Sequence, residues 1–329
     1  MSGDLIGRRG AAGALSESGS ADAENPAFAA YLAAARGRPG LWRILVVLFL
    51  LLVFQILLLF LIVTAAAAIG AAPTNRPWSL AAQTVVTLAV RAATPLALAL
   101  SLRLIHGRGF ASLLGHARRL ERAPLLIGAI AAVALSFVGL ALGAGLGLIE
   151  LSMVQQYRPL WPLLLAAALL IPVQAAAEEL IFRGYLLQEI GLRAPHAIAW
   201  AGAPSALFAI LHFGGGETRV EALAYVGSTF LFGLFAAALV WRTAGLSAAI
   251  GLHASNNWLA LCLFEPPQGV AGFGPIAWRY ADGGLVPSLA LQALLLGAAL
   301  ALLWRLLPRP AATGALSSSQ EGRHVQDAS

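Results

Sequence analysis

The stretch AAEELIFRGYLL, residues 175–186, places two adjacent carboxylates and a guanidinium near the end of a long apolar run. Glu179 and Arg183 are four residues apart, so on a helix they share one face and can pair. Glu178 lies about 100° around the helix from Glu179 and need not share that arginine. We therefore expect Glu179 to be a charged structural residue. Glu178 is expected in a low-dielectric cavity beside a like charge, where a carboxyl group holds its proton more readily.

Two further apolar stretches carry polar groups. FAILH ends at His212, and HASNN runs from His253 to Asn257, which again share one helical face. A carboxyl group of the kind expected for Glu178 suits a general base that takes a proton from water. His212 and His253 could orient that water, stabilise an oxyanion or bind a metal ion. Asn257 could donate its amide N–H groups to an oxyanion.

Each of these groups taken alone has a structural explanation. A Glu–Arg pair can hold a helix bundle together, a histidine can bridge two helices, and an asparagine can support packing. Their occurrence in three apolar segments within about 80 residues favours one shared site. Zinc needs three or four ligands at about 2.0–2.2 Å, and Glu178, His212 and His253 could supply three. There is no H-E-x-x-H stretch, so metal-bound and metal-free water both stay open.

The composition determines the elements that must position these residues. Of 329 residues, 59% are hydrophobic and 11% are charged, which is far from the balance of a soluble domain. The apolar runs are long enough to cross a hydrocarbon core of about 30 Å, and they do not alternate as strands of a porin-like barrel would. We expect an all-α polytopic transmembrane bundle of about eight spans. The spans lie roughly at 43–70, 79–105, 124–149, 160–188, 195–214, 221–241, 243–264 and 284–307.

Polar tails flank the apolar part of the chain. We expect a disordered cytoplasmic tail at 1–41, a transmembrane domain at 42–307 with a catalytic core at 159–264, and a second disordered cytoplasmic tail at 308–329. With the amino terminus in the cytoplasm, 15 of the 21 arginines lie on the inner side and 4 on the outer side. This bias predicts cytoplasmic termini and a multi-pass protein of the cell membrane, and a bacterial inner membrane is the expected location. Arginines at span edges also explain the basic charge without a nucleic-acid partner.

Several other polar residues are expected to have local roles. Arg91 is expected to extend its guanidinium towards the interface or to pair with a loop acid. Gln174 and Tyr185 flank the two glutamates and could support them, and Pro172 could kink the helix just before them. His106 lies at the edge of a span, where exposure at the interface is expected.

The motif order resembles that of the CPBP family of intramembrane proteases. These proteins are related to the CAAX prenyl endopeptidases and to bacterial bacteriocin-processing and self-immunity proteins. The carrying residues are E178-E179-L-I-F-R183 followed by Gly184, F208-A-I-L-H212 and H253-A-S-N-N257, within residues 159–264. The resemblance implies that Glu178 is the water-activating base and that His212, His253 and Asn257 complete the site. It makes Glu179 and Arg183 supporting residues.

The leading interpretation is an endopeptidase that hydrolyses a peptide bond in a membrane-associated protein or peptide, by a glutamate- or metal-dependent mechanism. A catalytically silent scaffold or bacteriocin self-immunity factor is the alternative. A proton-coupled transporter could also use buried Glu, Arg and His, but no internal repeat is apparent. The predicted boundaries put His212 and Glu178 at different depths. We therefore expect the fifth segment to begin after residue 195, or its helix to be staggered.

Overall fold

The computed structural model describes residues 25–36, 40–69, 78–154, 161–214, 218–265 and 273–310. Within these ranges, six helices are long and apolar enough to cross a membrane. Together with the predominance of helix, they make the chain a multi-pass helical membrane protein, as the sequence predicted. The six run Leu41–Ala68, Leu80–His106, Arg122–Gly145, Trp161–Gly191, Arg219–Thr243 and Leu285–Leu306.

Two of these spans are not regular α-helices along their whole length. The second span breaks near Pro95, whose ring removes a backbone donor and clashes with the preceding turn. The fourth span changes to a π-helical segment just after Glu179, within the first motif. The elements are α1 (Pro26–Ala33), α2 (Leu41–Ala68), α3 (Leu80–Ala92), α4 (Thr94–Ser101) with a π turn at Leu102–His106, α5 (Arg122–Gly145), α6 (Trp161–Glu179), the π segment (Leu180–Leu186), α7 (Leu187–Gly191), a π turn at Ile198–Gly202, α8 (Ala203–Ile210), α9 (Arg219–Thr243), α10 (Ser247–Trp258) with a π turn at Leu259–Leu263, and α11 (Leu285–Leu306).

The two remaining predicted spans are present as shorter helices. The segment predicted at 195–214 is helical from Ile198 to Ile210, so it begins later than drawn. The segment predicted at 243–264 is α10 with its π turn. Six long helices and two shorter ones are roughly consistent with about eight spans.

A small sheet, which the sequence analysis did not predict, joins the ends of three helices. Its strands are β1 (Ile149–Met153), β2 (Phe264–Glu265) and β3 (Ile276–Tyr280), in the order β1-β3-β2. β1 pairs antiparallel with β3, and β2 pairs parallel with it. The first two strands follow α5 and α10, and the third precedes α11. Strands this short, next to long apolar runs, give no separate period-two pattern in the sequence.

Residues 26–33 were expected in the amino-terminal tail, but they form the buried helix α1. The Asn25 side chain accepts a hydrogen bond from the Phe28 N–H at 3.1 Å and donates to the Trp241 carbonyl at 2.6 Å. Phe28 and Tyr31 are buried against the bundle. The prediction of a solvated tail is therefore wrong for this helix. Residues 1–24 and 311–329 lie outside the described ranges.

The helix that carries the third motif lies in close backbone contact with α5. A Cβ atom at Gly128 would overlap the carbonyl oxygen of Ala248, and one at Gly251 would overlap that of Leu125. Glycines therefore let α5 and α10 approach as small-residue interfaces in membranes do. Because α10 also packs on α6, this contact fixes the third motif beside the first.

Candidate active site

Glu179 and Arg183 form the predicted pair at the junction of α6 and the π segment. Nη1 of Arg183 donates to Oε1 of Glu179 at 3.0 Å, and the two side chains are 1% and 0% exposed. A buried charge is stable only with a partner of this kind. The pair therefore supports both the helix and the local charge balance.

The Arg183 guanidinium also lies against aromatic rings. Its Cζ is 4.4 Å from the ring centroid of Phe208, the first residue of the second motif, and 5.9 Å from that of Phe182. Such contacts stabilise a desolvated guanidinium. Space for it comes from Gly233 on α9, because a Cβ there would lie 3.0 Å from Nη2 of Arg183 and 2.8 Å from Cβ of Ser205.

His253, on α10, connects the two glutamates. Its Nδ1 lies 2.7 Å from Oε1 of Glu179, and its Nε2 lies 3.6 Å from Oε2 of Glu178. An ionised carboxylate only accepts, so the proton of the shorter contact belongs to Nδ1. That bond fixes the ring orientation and leaves Nε2 facing Glu178. The ring edges contact Phe208 and Phe232 at centroid distances of 5.8 and 5.3 Å.

Glu178 has a cation of its own, which contradicts the expectations for both residues of this pair. Nη1 of Arg91, on α3, donates to Oε1 of Glu178 at 2.9 Å, and the two side chains are 43% and 11% exposed. Arg91 was expected to reach the interface or a loop acid, and Glu178 was expected in a low-dielectric cavity where it need not share Arg183. A guanidinium at this distance stabilises an ionised carboxylate. The other oxygen, Oε2, is buried and has no hydrogen-bond partner among the described residues.

His212 follows α8 and completes the cluster. Its Nδ1 lies 2.7 Å from the Phe208 carbonyl, and a carbonyl only accepts, so Nδ1 carries a proton. The ring centroid is 4.5 Å from that of Phe208 and 6.3 Å from that of Tyr225. Both histidine rings thus contact Phe208.

Asn257 lies beside Gln174, which was expected to flank the site. Its Nδ2 is 3.4 Å from Oε1 of Gln174, a long contact that leaves its donors only weakly engaged. Gln174 is buried one helical turn before Glu178. Tyr185 behaves differently from the expectation, because its hydroxyl lies 3.0 Å from Nε2 of His106 in another cluster. His106 is 2% exposed, so its expected interfacial exposure is wrong.

The residues considered for zinc do not form a ligand set. Among the described residues, no group of three or more His, Cys, Asp or Glu side chains is arranged to hold a metal ion. Arg91 already holds one oxygen of Glu178. The geometry therefore does not fit a zinc site made from Glu178, His212 and His253.

The sequence did not assign two residues of this cluster, Tyr225 and Arg91, to the candidate site. Tyr225 on α9 belongs to no motif. The nearby sequence predicts only the start of a helix, because Glu221 forms a capping box with Thr218. Arg91 gave a signal, as an arginine within an apolar segment, but nothing in the sequence identified its partner. An arginine within a membrane span is costly, so its presence indicates a functional or paired residue, and Arg91 fits this pattern.

Comparison with known proteins covers the region of the three motifs. Residues 158–259 match the family model described as type II CAAX prenyl endopeptidase Rce1-like. The chain is 37% identical over 108 residues to the uncharacterized protein YyaK of Bacillus subtilis strain 168, a match that covers 32% of this chain and 35% of that protein. No solved structure gives a significant match. Residues 158–259, which contain the three motifs, thus match an Rce1-like family model, in agreement with the CPBP-family resemblance of these motifs.

Proposed function

We propose that the chain is a CPBP-type intramembrane endopeptidase, which uses a glutamate-activated water to hydrolyse a peptide bond of a membrane-associated protein or peptide. The observation that carries this proposal is the arrangement of Glu178. One of its oxygens is held by Arg91, and the other is buried, has no hydrogen-bond partner among the described residues, and lies 3.6 Å from Nε2 of His253. The catalytic core is residues 159–264.

The water is bound between Glu178 and His253. With its proton on Nδ1, neutral His253 presents an acceptor at Nε2, and Oε2 of Glu178 is a second acceptor. A water that donates one hydrogen to each has its lone pairs directed away from both, towards a substrate carbonyl. Glu178 takes one proton as the oxygen attacks the carbonyl carbon, as a general base does.

The developing charge needs donors that are already in place. Asn257 supplies its amide N–H groups, which its long contact with Gln174 leaves available. His212 donates Nδ1–H to the Phe208 carbonyl, so its Nε2 is an acceptor that can orient the water or the leaving amine. The proton taken by Glu178 passes to the leaving amine, and the products are a carboxylic acid and an amine.

Glu179 and Arg183 support the reaction without touching the substrate. Glu179 accepts from both Arg183 and His253 through the same oxygen, Oε1. This arrangement holds the imidazole in the tautomer that the water requires. The pair thus neutralises a buried charge and, through Glu179, sets the orientation of the His253 ring.

A catalytically silent scaffold or self-immunity factor is the second candidate, and the Arg91–Glu178 bond favours it. A carboxylate paired with a guanidinium is a common structural device, and a scaffold needs nothing more from it. The two candidates differ in what Glu178 must do, since a scaffold needs only the shape and the pairing of this side chain.

A survey of cleavage products separates these candidates. Membranes that carry the wild-type chain and membranes that carry Glu178→Gln or Glu178→Ala are compared for peptides that end at new termini. New termini that disappear in both variants support the peptidase. Identical peptide sets from membranes with equal amounts of folded protein would falsify it and leave the scaffold.

We also propose a multi-pass location in the cell membrane, the inner membrane of a bacterium, with both termini in the cytoplasm. The arginine distribution supports this orientation, with 15 arginines on the inner side and 4 on the outer side. The matched relative is bacterial. The partners are then the lipid bilayer and a membrane-associated substrate, without a role for nucleic acid.

A further inference from the structure

The π segment after Glu179 changes the hydrogen bonding of Arg183. In an α-helix, the amide of Leu187 would donate to the carbonyl of Arg183, four residues earlier. Here the Leu187 N–H is directed to the carbonyls of Phe182 and Gly184 instead. Segments of this kind often occur at functional sites, and the altered ladder leaves a carbonyl for another donor.

That donor comes from the other end of the chain. The hydroxyl of Tyr31, on α1, donates to the carbonyl of Arg183 at 3.0 Å across a separation of 152 residues. It is also 3.0 Å from the carbonyl of Leu113. Burial raises the pKa of Tyr31 far above its usual value; Arg108 opposes this effect and the charge of Glu179 adds to it. The hydroxyl therefore remains a donor at any working pH.

A buried polar network holds Tyr31 in this position. Nε2 of Gln188 donates to the carbonyl of Tyr31 at 3.1 Å and to that of Ser112 at 2.8 Å. Arg108 donates to Oε1 of Gln188 at 2.7 Å and to Oε1 of Glu189 at 3.1 Å. α1 is thus fixed to the helix that carries the first motif by bonds on both sides of the tyrosine.

We propose that Tyr31 is a positioning residue for the candidate active site. Its hydroxyl stabilises the π register at the Arg183 carbonyl, and that register directs the Arg183 side chain to Glu179, which orients His253. Helix α1, far outside residues 158–259, is then part of the functional unit. The effect on turnover rests on the proposed function, whereas the effect on Arg183, Glu179 and His253 does not.

The test uses Tyr31→Phe in the full-length chain, reconstituted in lipid nanodiscs. Its matched control is Thr243→Val, which also removes a buried hydroxyl that lies within hydrogen-bond distance of two carbonyls, those of Leu239 and Gly245 at 2.9 and 3.0 Å. The first readout is the ¹⁵N ring signal of His253, assigned with His253→Gln among the six histidines of the chain. The second is amide hydrogen exchange of residues 180–188, and the third is steady-state kinetics on a substrate found in the cleavage survey.

Tyr31→Phe is expected to shift the His253 signal and to raise exchange in residues 180–188 about tenfold, since a buried carbonyl loses its donor. Turnover falls about tenfold or more at unchanged KM. Thr243→Val leaves all three readouts near wild type. An unchanged His253 signal with unchanged exchange overturns the proposal, and so does full turnover by a Tyr31→Phe chain that shows both changes.

Failure of the proposed function has a different signature. If the wild-type chain cleaves nothing, the signal and the exchange data alone decide the role of Tyr31. If Tyr31→Phe does not accumulate, Gln188→Leu releases α1 through a different bond. That variant must then produce the same shift and the same exchange, and a variant that produces neither refutes the proposal.

Discussion

The guanidinium of Arg91 lies 2.9 Å from Oε1 of Glu178, although 87 residues separate the two in the sequence. This bond fixes the carboxylate so that Oε2 is directed at His253. The arginine side chain is 43% exposed, so the pair lies where the buried cluster meets its surroundings. Arg91 thereby engages Oε1 of Glu178 and leaves Oε2 beside His253.

Loss of this cation should impair a peptidase without unfolding it. We expect Arg91→Leu to lower kcat/KM by about ten- to a hundredfold, the range of one hydrogen bond to a charged group. Arg91→Lys keeps the charge and should retain most of the activity. Initial rates of equal amounts of folded protein provide the measurement. Equal rates for Arg91→Leu and wild type would show that the bond is only structural.

Glu178→Gln keeps the shape of the side chain and removes the base. A lost acid–base group lowers turnover by about 10²–10⁴-fold, and a larger loss is expected if Glu178 is the sole activator of water. His253→Ala and Asn257→Ala should lose turnover in the same way, with near-normal folding. The control is Glu150→Gln, which changes an exposed glutamate paired with Arg279 in the small sheet. Turnover at the wild-type rate by folded Glu178→Gln would refute the base assignment.

Contacts between residues that are close in the sequence, or that a membrane forces together, could be predicted from the sequence. The pairing of Glu179 with Arg183 follows from a separation of four residues on a helix. The proximity of His253 to the glutamates follows from the cost of polar groups in a membrane, which drives them together. Both predictions use only local periodicity and the nature of the solvent.

Contacts across long separations could not be predicted in this way. Arg91 and Tyr31 lie on helices whose rotation and depth are set by packing, and no single span reveals either. Tyr31 was hidden further because a polar, Ala-rich stretch resembles a solvated tail. Its burial depends on α1 finding the surface around Trp241 and Trp200.

The Arg183–Glu179 pair is buried, whereas the Arg279–Glu150 pair lies at the surface. Replacing the arginine by alanine should therefore lower the stability of the protein by different amounts in the two pairs. Arg183→Ala leaves the buried carboxylate of Glu179 without its cation, which costs about 3–5 kcal/mol of unfolding free energy. Arg279→Ala breaks a pair at the surface, where such bonds contribute about 0–1 kcal/mol. Thermal or denaturant unfolding in detergent measures both. Equal losses of stability in the two variants would contradict the structural role of Arg183.

The orientation of the chain can be tested without substrate. If both termini are cytoplasmic, protease should remove an amino-terminal or carboxy-terminal tag from sealed inside-out vesicles and leave it intact in right-side-out vesicles. Arginine bias fixes topology because translocating these charges is costly. A tag cut only from the outer face would reverse the proposed orientation, and tags cut from opposite faces would require an odd number of spans.

The close contact of α5 with α10 yields the last prediction. A Cβ atom at Gly128 would overlap the backbone oxygen of Ala248, which cannot move without shifting the helix that carries His253 and Asn257. Overpacking of this kind costs about 1–3 kcal/mol, so Gly128→Ala should lower the melting temperature and also turnover. The matched control is Gly145→Ala on the same helix, where a Cβ meets nothing within 4 Å. That variant should melt like the wild type. If Gly128→Ala loses stability but keeps full turnover, α10 tolerates the shift, and the spacing of these two helices does not set the geometry of the third motif.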